Sequence, residues 1–200
     1  STEAELPSAN SWTDLAWGEG LYVAVGRHGG IATSSDAHEW QLRDSGTFDD
    51  IATVVHAGSQ FVAVAGSATL LSADGAQWAR VDDALPPGAT KLVWSGTQLL
   101  ALTRFDGPWQ SPDGQTWSPA STPVPVESLE SLASDGSRLV ADAALVSENG
   151  LTWRTTGIDA VDVTWTGDRF LAVDDEWVLS SSDGTVWSRL ELGQTARHNA

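Results

Sequence analysis

The segment Ser72-Ala73-Asp74-Gly75-Ala76-Gln77-Trp78 has four close copies elsewhere in this 200-residue chain. All five share the pattern S-x-[DN]-[GA]-x-x-W, and successive tryptophans lie 38, 39, 36 and 34 residues apart. A fixed period of this length is the signature of a repeat protein, so the sequence predicts one domain of five repeats. The Ser, Asp or Asn, and Trp positions hold Ser34, Asp36, Trp40, Ser72, Asp74, Trp78, Ser111, Asp113, Trp117, Ser147, Asn149, Trp153, Ser181, Asp183 and Trp187.

Each repeat contains four short apolar or alternating runs that are separated by turn residues. In the second repeat these runs cover residues 51–55, 61–64, 69–71 and 78–81. Such runs, bounded by Gly and Ser, are typical of β-strands, and four strands per repeat make a propeller blade. We therefore predict an all-β protein, a five-bladed β-propeller of four-stranded antiparallel blades. The alternative is an incomplete propeller that oligomerises through exposed apolar blade faces.

The repeat also sets the expected domain boundaries. Residues 11–193 should form a single propeller, with blades at about 11–46, 47–84, 85–121, 122–157 and 158–193. Residues 1–10 are expected to be an N-terminal linker or edge segment, and residues 194–200 a C-terminal tail. Between a closed monomer and an open fragment that assembles, we favour the closed monomer.

Composition narrows the classes of partner. The chain has no cysteine and a formal net charge of −17. The absence of cysteine excludes disulfides, thiolate metal sites and a cysteine nucleophile. The negative charge disfavours nucleic acid and anionic lipid as partners, because both bind clustered Lys and Arg. No run approaches the roughly 18 apolar residues of a transmembrane helix, so membrane insertion is not expected. We expect an exported protein that is secreted, periplasmic or at the cell surface.

The residues of the shared heptapeptide fit a tight turn. An Asp or Asn at its third position can accept hydrogen bonds from backbone N–H groups of the same turn, and the glycine that follows tolerates dihedral angles that other residues resist. The tryptophan can fold back over the turn and bury its ring. The first repeat has Ala37 at the glycine position, so we expect its turn to be strained or differently shaped.

These turns resemble the Asp-boxes, or BNR repeats, of non-viral sialidases and sialidase-like propellers. The resemblance covers all five repeats and implies the propeller fold; in that family the boxes are structural turns away from the usual active site. It also implies an arginine triad, a tyrosine nucleophile paired with glutamate, and an aspartate acid/base in catalytic members. The one tyrosine here, Tyr22, occupies the apolar repeat position of Phe61 and Phe170, so we predict a non-catalytic member.

No cofactor is expected from the sequence. The four histidines lack the spacing of a zinc site. Calcium alone is kept open, at the adjacent carboxylates of Asp174, Asp175 and Glu176, although these do not follow an EF-hand pattern.

The loops of four-stranded blades lie at two ends of the ring. The first hairpin and the Asp-box turn of each blade lie at one end, here called the box end, and the other connections lie at the opposite, acidic end. At the box end, Trp17, Trp94 and Trp165 share one repeat position, just before the first hairpin turn. They are either stacking platforms for sugar rings or packing residues beneath their own hairpins.

The loops at the acidic end are rich in Asp and Glu and hold few cations. Trp177 is distinctive among them because the aligned positions in the other repeats are small, namely Gly30, Ala68, Gly107 and Ala143. We predict that Trp177 contacts a ligand, together with Arg104 and Arg27 from other blades.

Three functions remain open at this point. The first, which we favour, is a non-catalytic recognition module that binds a glycan or another small ligand through loop aromatics. The second is a protein–protein interaction scaffold that uses the acidic end. The third is a degenerate glycoside hydrolase, which needs two opposed carboxylates in a pocket.

Overall fold

A computed structural model describes residues 11–85, 88–103, 107–120, 131–142, 144–148, 152–158 and 160–190. Within them the chain forms five antiparallel sheets of four strands, each with its strands in chain order. A 3₁₀ turn at Arg27–Gly29 joins the second strand to the third. None of the described residues belongs to a helix long and apolar enough to cross a membrane.

The strands are numbered β1 to β20, four to a blade. They are Trp12–Gly18, Leu21–Gly26, Ile31–Ser34 and Gln41–Arg43 in blade 1; Ile51–Ala57, Gln60–Ala65, Ala68–Ser72 and Ala79–Val81 in blade 2; Ala89–Trp94, Leu99–Thr103, Gly107–Ser111 and Ser118–Pro119 in blade 3; Leu132–Ser134, Leu139–Ala141, Leu145–Ser147 and Trp153–Thr155 in blade 4; and Asp162–Trp165, Phe170–Val173, Val178–Ser181 and Ser188–Arg189 in blade 5.

The predicted fold is confirmed: the chain is an all-β, five-bladed β-propeller of four-stranded antiparallel blades. The blade boundaries stay predictions, because residues at several of them lie outside the described ranges.

Blade 2 shows how the sequence builds a blade with two buried faces. Phe61 in β6 pairs with His56 in β5 and Ser72 in β7. Side chains alternate between the faces of a sheet, so Phe61 packs against blade 1 while Val62 and Val64 pack against blade 3. We call the face toward the preceding blade the leading face and the face toward the next blade the trailing face. Because both are covered, β6 is apolar almost throughout.

Four buried apolar clusters join consecutive blades, and we call these junctions seams. In the seam between blades 1 and 2, Val25 and Ile31 cluster with Phe61 of blade 2. In the seam between blades 4 and 5, Val140 clusters with Phe170 of blade 5. Since hydrophobic stabilisation scales with the apolar area removed from water, the seams are the main source of the propeller's stability.

The seams run in series along the chain. β1 contacts β5, β5 contacts β9, β9 contacts β13, and β13 contacts β17. Among the described residues, no apolar cluster joins blade 5 to blade 1. Leu15 on the leading face of blade 1 is 53% exposed, and Val173 on the trailing face of blade 5 is 41% exposed. The closed ring that we favoured is therefore not sealed by a seam between the described parts of these two blades.

Candidate functional site

The Asp-box turns hold themselves together with a repeated set of hydrogen bonds. In blade 1, Asp36 Oδ1 accepts from the backbone N–H groups of His38 and Glu39 at 2.8 and 3.0 Å. The Ser34 hydroxyl donates to the same carboxylate at 3.0 Å, and Trp40 Nε1 donates to the Ala37 carbonyl oxygen at 3.3 Å. The boxes of blades 2, 3 and 5 repeat this pattern. Asn149, in the box of blade 4, lies outside the described residues.

These hydrogen bonds keep the box carboxylates charged. The backbone N–H groups of Glu39 and His38 lower the pKa of Asp36 to about 2. The same kind of contact lowers the pKa values of Asp74 and Asp113. For Asp183 the hydroxyl of Thr185 is the main cause of a lowered pKa, followed by backbone N–H groups. These carboxylates therefore stabilise their own turns.

The box glycines of blades 2, 3 and 5 lie against the preceding blade. A Cβ at Gly114 would lie 2.8 Å from Leu71 Cδ2 and 3.2 Å from Val62 Cγ1. A Cβ at Gly184 would overlap Val140. Ala37 adopts the same left-handed conformation, with φ of 60°, so the turn of blade 1 keeps its shape at a strain of about 1–3 kcal/mol.

The first hairpin of a blade also reaches the box of the next blade. Gln60 Nε2 donates to the Asp113 carbonyl oxygen at 3.0 Å, and Arg138 Nη1 donates to the Asp183 carbonyl oxygen at 2.8 Å. Arg169 occupies the same position in blade 5, where its guanidinium instead contacts Asp168 at 2.8 Å. The box end is therefore linked from blade to blade by polar contacts as well as by packing.

The three tryptophans predicted at the box end differ in their exposure. Trp94 is half-buried, and a Cβ at Gly58, in the hairpin of the preceding blade, would lie 3.5 Å from its ring. Trp165 is half-buried against Phe170, with ring centroids 4.7 Å apart. Trp17 is exposed, because no described blade precedes it. Trp94 and Trp165 thus pack at the seams in front of their blades.

At the acidic end, the loop that joins β18 to β19 presents Trp177. Its backbone N–H donates to Asp174 Oδ1 at 2.5 Å, and its indole Nε1 donates to Glu176 Oε2 at 3.2 Å. The Arg189 guanidinium lies over the indole ring, 4.4 Å from its centroid. Arg189 was not among the predicted site residues, although its place two residues after the box tryptophan, like that of Arg80, was a usable signal.

The structure describes one of the two other cations predicted beside Trp177. Arg27 is exposed in the 3₁₀ turn of blade 1, where its backbone N–H donates to the Ser11 carbonyl oxygen at 3.0 Å. Arg104 lies outside the described residues. The structure therefore gives Trp177 a cationic neighbour from its own blade.

The carboxylates of the acidic end are engaged locally. Arg80 contacts Asp49 at 3.1 Å and Asp82 at 2.6 Å, and Asp50 accepts from the backbone N–H of His28 at 2.9 Å. Asp174 also accepts from the backbone N–H of Glu176. In the part of the chain that the structure describes, no group of three or more His, Asp or Glu side chains is arranged to hold a metal ion.

No protein-family model and no curated protein matches the sequence. Solved β-propeller structures do match. YCF48 bound to D1 peptide is 18% identical, with a TM-score of 0.66, over 92% of this chain and 69% of that one. A nidogen/laminin complex is 12% identical, with a TM-score of 0.63, over 90% and 78%. Virginiamycin B lyase from Staphylococcus aureus is 8% identical, with a TM-score of 0.66, over 94% and 72%.

Identities this low carry the fold and not the function. The comparisons and the sheet topology together establish that this chain is a β-propeller of five four-stranded blades.

Proposed function

We propose that the chain is a non-catalytic recognition module for a protein partner, and that it binds a basic segment of that partner at the acidic end of blade 5. The observation that carries this proposal is the loop around Trp177, whose ring already contacts the guanidinium of Arg189. Asp175 and Glu176 are exposed in the same loop. An aromatic ring beside carboxylates is a surface that recognises lysine and arginine side chains.

The charge of the whole chain supports a cationic ligand. A formal net charge of −17 produces a field that attracts basic segments and raises their association rate. The exposed carboxylates of Asp82 and Asp83 in blade 2 extend this field beyond blade 5. Basic ligands are therefore steered toward the protein before they contact Trp177.

Two of the similar propellers were solved with a peptide or protein partner, namely YCF48 with D1 peptide and nidogen with laminin. Those partners belong to those proteins. They support the proposal only in showing that the fold presents surfaces on which peptides and proteins bind.

We infer further that the repeats are Asp-boxes of the sialidase-like kind in a propeller without catalysis. The Tyr22 ring packs between two tryptophans: its centroid lies 4.2 Å from that of Trp17 and 6.4 Å from that of Trp40. This packing supports a structural role for Tyr22. The box carboxylates bind their own turns. An exported location, secreted, periplasmic or at the cell surface, is part of this proposal, and the binding it describes uses no cofactor.

A glycan is a second candidate because Trp177 is 38% exposed, and a partly open indole ring can stack on the apolar face of a sugar. Trp94 and Trp165 are half-buried at seams. The glycan candidate therefore depends on Trp177 and on the exposed Trp17.

Fluorescence anisotropy with a labelled model peptide rich in lysine and arginine tests the proposed function. We expect Trp177→Ala to weaken binding about two- to fivefold, because a cation–π contact at an exposed site contributes about 0.5–1 kcal/mol. Binding of the wild-type protein should also fall as the ionic strength rises above about 0.15 M, where the Debye length is about 8 Å.

Phe48→Ala is the matched control, since Phe48 is a strongly exposed aromatic in the connection between blades 1 and 2. It should leave the dissociation constant unchanged. Equal affinities for wild type and Trp177→Ala, or binding that ignores salt, would contradict the proposal. If a glycan array gives a hit that Trp177→Ala abolishes while the peptide does not bind, the second candidate replaces the first.

A further inference from the structure

We propose that the trailing face of blade 5 docks on the leading face of blade 1 of a second copy of this chain, head to tail, so that the seams continue across the two molecules. The inference concerns a different surface from the Trp177 loop and does not depend on the proposed function. It rests on the continuity of these two faces with the four seams already formed.

The leading face of blade 1 has the same apolar pattern as the leading faces that are buried. Leu15 pairs with Ala24 as Leu132 pairs with Ala141 in blade 4. The residues that share this position in blades 2 to 5 are at most 5% exposed, whereas Leu15 is more than half exposed. They are Val54, Leu92, Leu132 and Val163. Trp17 and Leu42 add two further exposed apolar side chains to blade 1.

The trailing face of blade 5 is likewise apolar and more exposed than the trailing faces of the other blades. Leu171 is half-buried, although the residues at its position in the other blades are at most 1% exposed. They are Val23, Val62, Leu100 and Val140. Val173 is likewise open while its counterpart Val64 is 1% exposed. The described part of each chain therefore carries both halves of one unmade seam.

The polar contacts of a seam are also available at the two ends. Arg138 of blade 4 donates to the Asp183 carbonyl oxygen in the box of blade 5. Arg169 has the position of Arg138 on the open trailing face, and Asp36 has the position of Asp183 in the box of blade 1. A second copy placed in seam geometry would bring the Arg169 guanidinium to the Asp36 carbonyl oxygen.

The box of blade 1 and the end of blade 5 also complement each other in size. In the three seams whose box glycine is described, that glycine packs against Thr33, Leu71 or Val146 on the third strand of the preceding blade. Blade 1 has the larger Ala37 at the glycine position, and blade 5 has the smaller Ser180 at the third-strand position, paired with Leu171. The extra methyl group on one side is matched by a smaller side chain on the other, as close packing requires.

A contact between two different faces is heterologous, and it forms either a closed ring of copies or an open row. This property makes the test specific. Light scattering coupled to size-exclusion chromatography, across the micromolar range, should show the wild-type protein as a dimer or larger. Leu15→Arg blocks the leading face and Val173→Arg blocks the trailing face, so each variant alone should be monomeric.

A mixture of the two variants should form a one-to-one complex, because Leu15→Arg retains an intact trailing face and Val173→Arg an intact leading face. Phe48→Arg, which changes an exposed apolar residue away from both faces, should assemble like wild type. A monomeric wild-type protein overturns the proposal. An assembly that Leu15→Arg dissolves and Val173→Arg leaves intact would also overturn it, because that result requires pairing of two leading faces. Both substituted side chains are substantially exposed, so circular dichroism should show unchanged folding.

Discussion

Leu132→Ala is expected to lower the free energy of unfolding by about 2–5 kcal/mol, whereas Leu15→Ala should lower it by less than about 1 kcal/mol. The two leucines occupy the same position in the repeat, and each pairs with an alanine of the neighbouring strand. Leu132 is buried in the seam between blades 3 and 4, while Leu15 has no described blade in front of it. Truncation therefore leaves a cavity only at residue 132.

Urea denaturation followed by circular dichroism measures both values. The comparison is best made in the Val173→Arg background, so that assembly does not contribute to the stability of either variant. Equal losses of stability at the two positions would mean that Leu15 is covered in solution within one chain, as in a closed ring.

Gly184→Ala is expected to cost about 2–6 kcal/mol of stability, from two additive causes. Gly184 has φ of 69°, where alanine is strained by about 1–3 kcal/mol. The new Cβ would also overlap Val140 of the preceding blade, and overpacking a tight core costs about 1–3 kcal/mol. Val140 is fully buried and branched at its Cβ, so it has little freedom to move aside.

Gly66→Ala separates these two causes. Gly66 has nearly the same φ, 66°, but a Cβ there would meet nothing within 4 Å. It should therefore show the backbone strain alone. If the two alanine variants unfold at the same urea concentration, the close contact between box and preceding blade does not contribute to the stability of the seam.

The sequence was sufficient to predict the blades because the signal is repeated. One heptapeptide ending in tryptophan marks each third-to-fourth strand turn, and runs such as Phe61-Val62-Ala63-Val64 indicate strands that are buried on both faces. Five copies of these signals determine the number of blades. The glycine and aspartate residues of the boxes likewise predict tight turns in which the Asp side chain accepts hydrogen bonds from backbone N–H groups of the same turn.

Which blade faces are uncovered could not be predicted in the same way. Leu15 and Leu132 are the same residue type at the same repeat position, and their exposures differ only because one has a neighbouring blade. Local pattern does not contain that information. One departure in the sequence is consistent with an uncovered face of blade 1: Ala37 replaces glycine in the box that has no described blade in front of it. From the sequence alone, this replacement predicted only a strained or differently shaped turn.

The candidate site was predicted in part. Trp177 was singled out because its counterparts in other repeats are small, and it is partly exposed in an acidic loop. Its cationic neighbour was not foreseen, because the Trp177–Arg189 contact depends on how β20 lies beside β19. For Trp94 and Trp165, the hairpin position left open either a platform for sugar rings or packing beneath the hairpin, and both side chains are half-buried at seams.

The most direct test of this account is a pair of distances between spin labels in dilute protein. The chain has no cysteine, so cysteines at Glu39 and Gln77 report on blades 1 and 2, and cysteines at Glu39 and Val186 report on blades 1 and 5. All three positions are exposed and equivalent in their boxes. Electron paramagnetic resonance, with labelled protein diluted in unlabelled protein, should give a clearly longer distance for the second pair. Equal distances for the two pairs, as a closed five-bladed ring requires, would mean that blade 5 lies beside blade 1 within one chain, and would contradict the uncovered faces of these two blades.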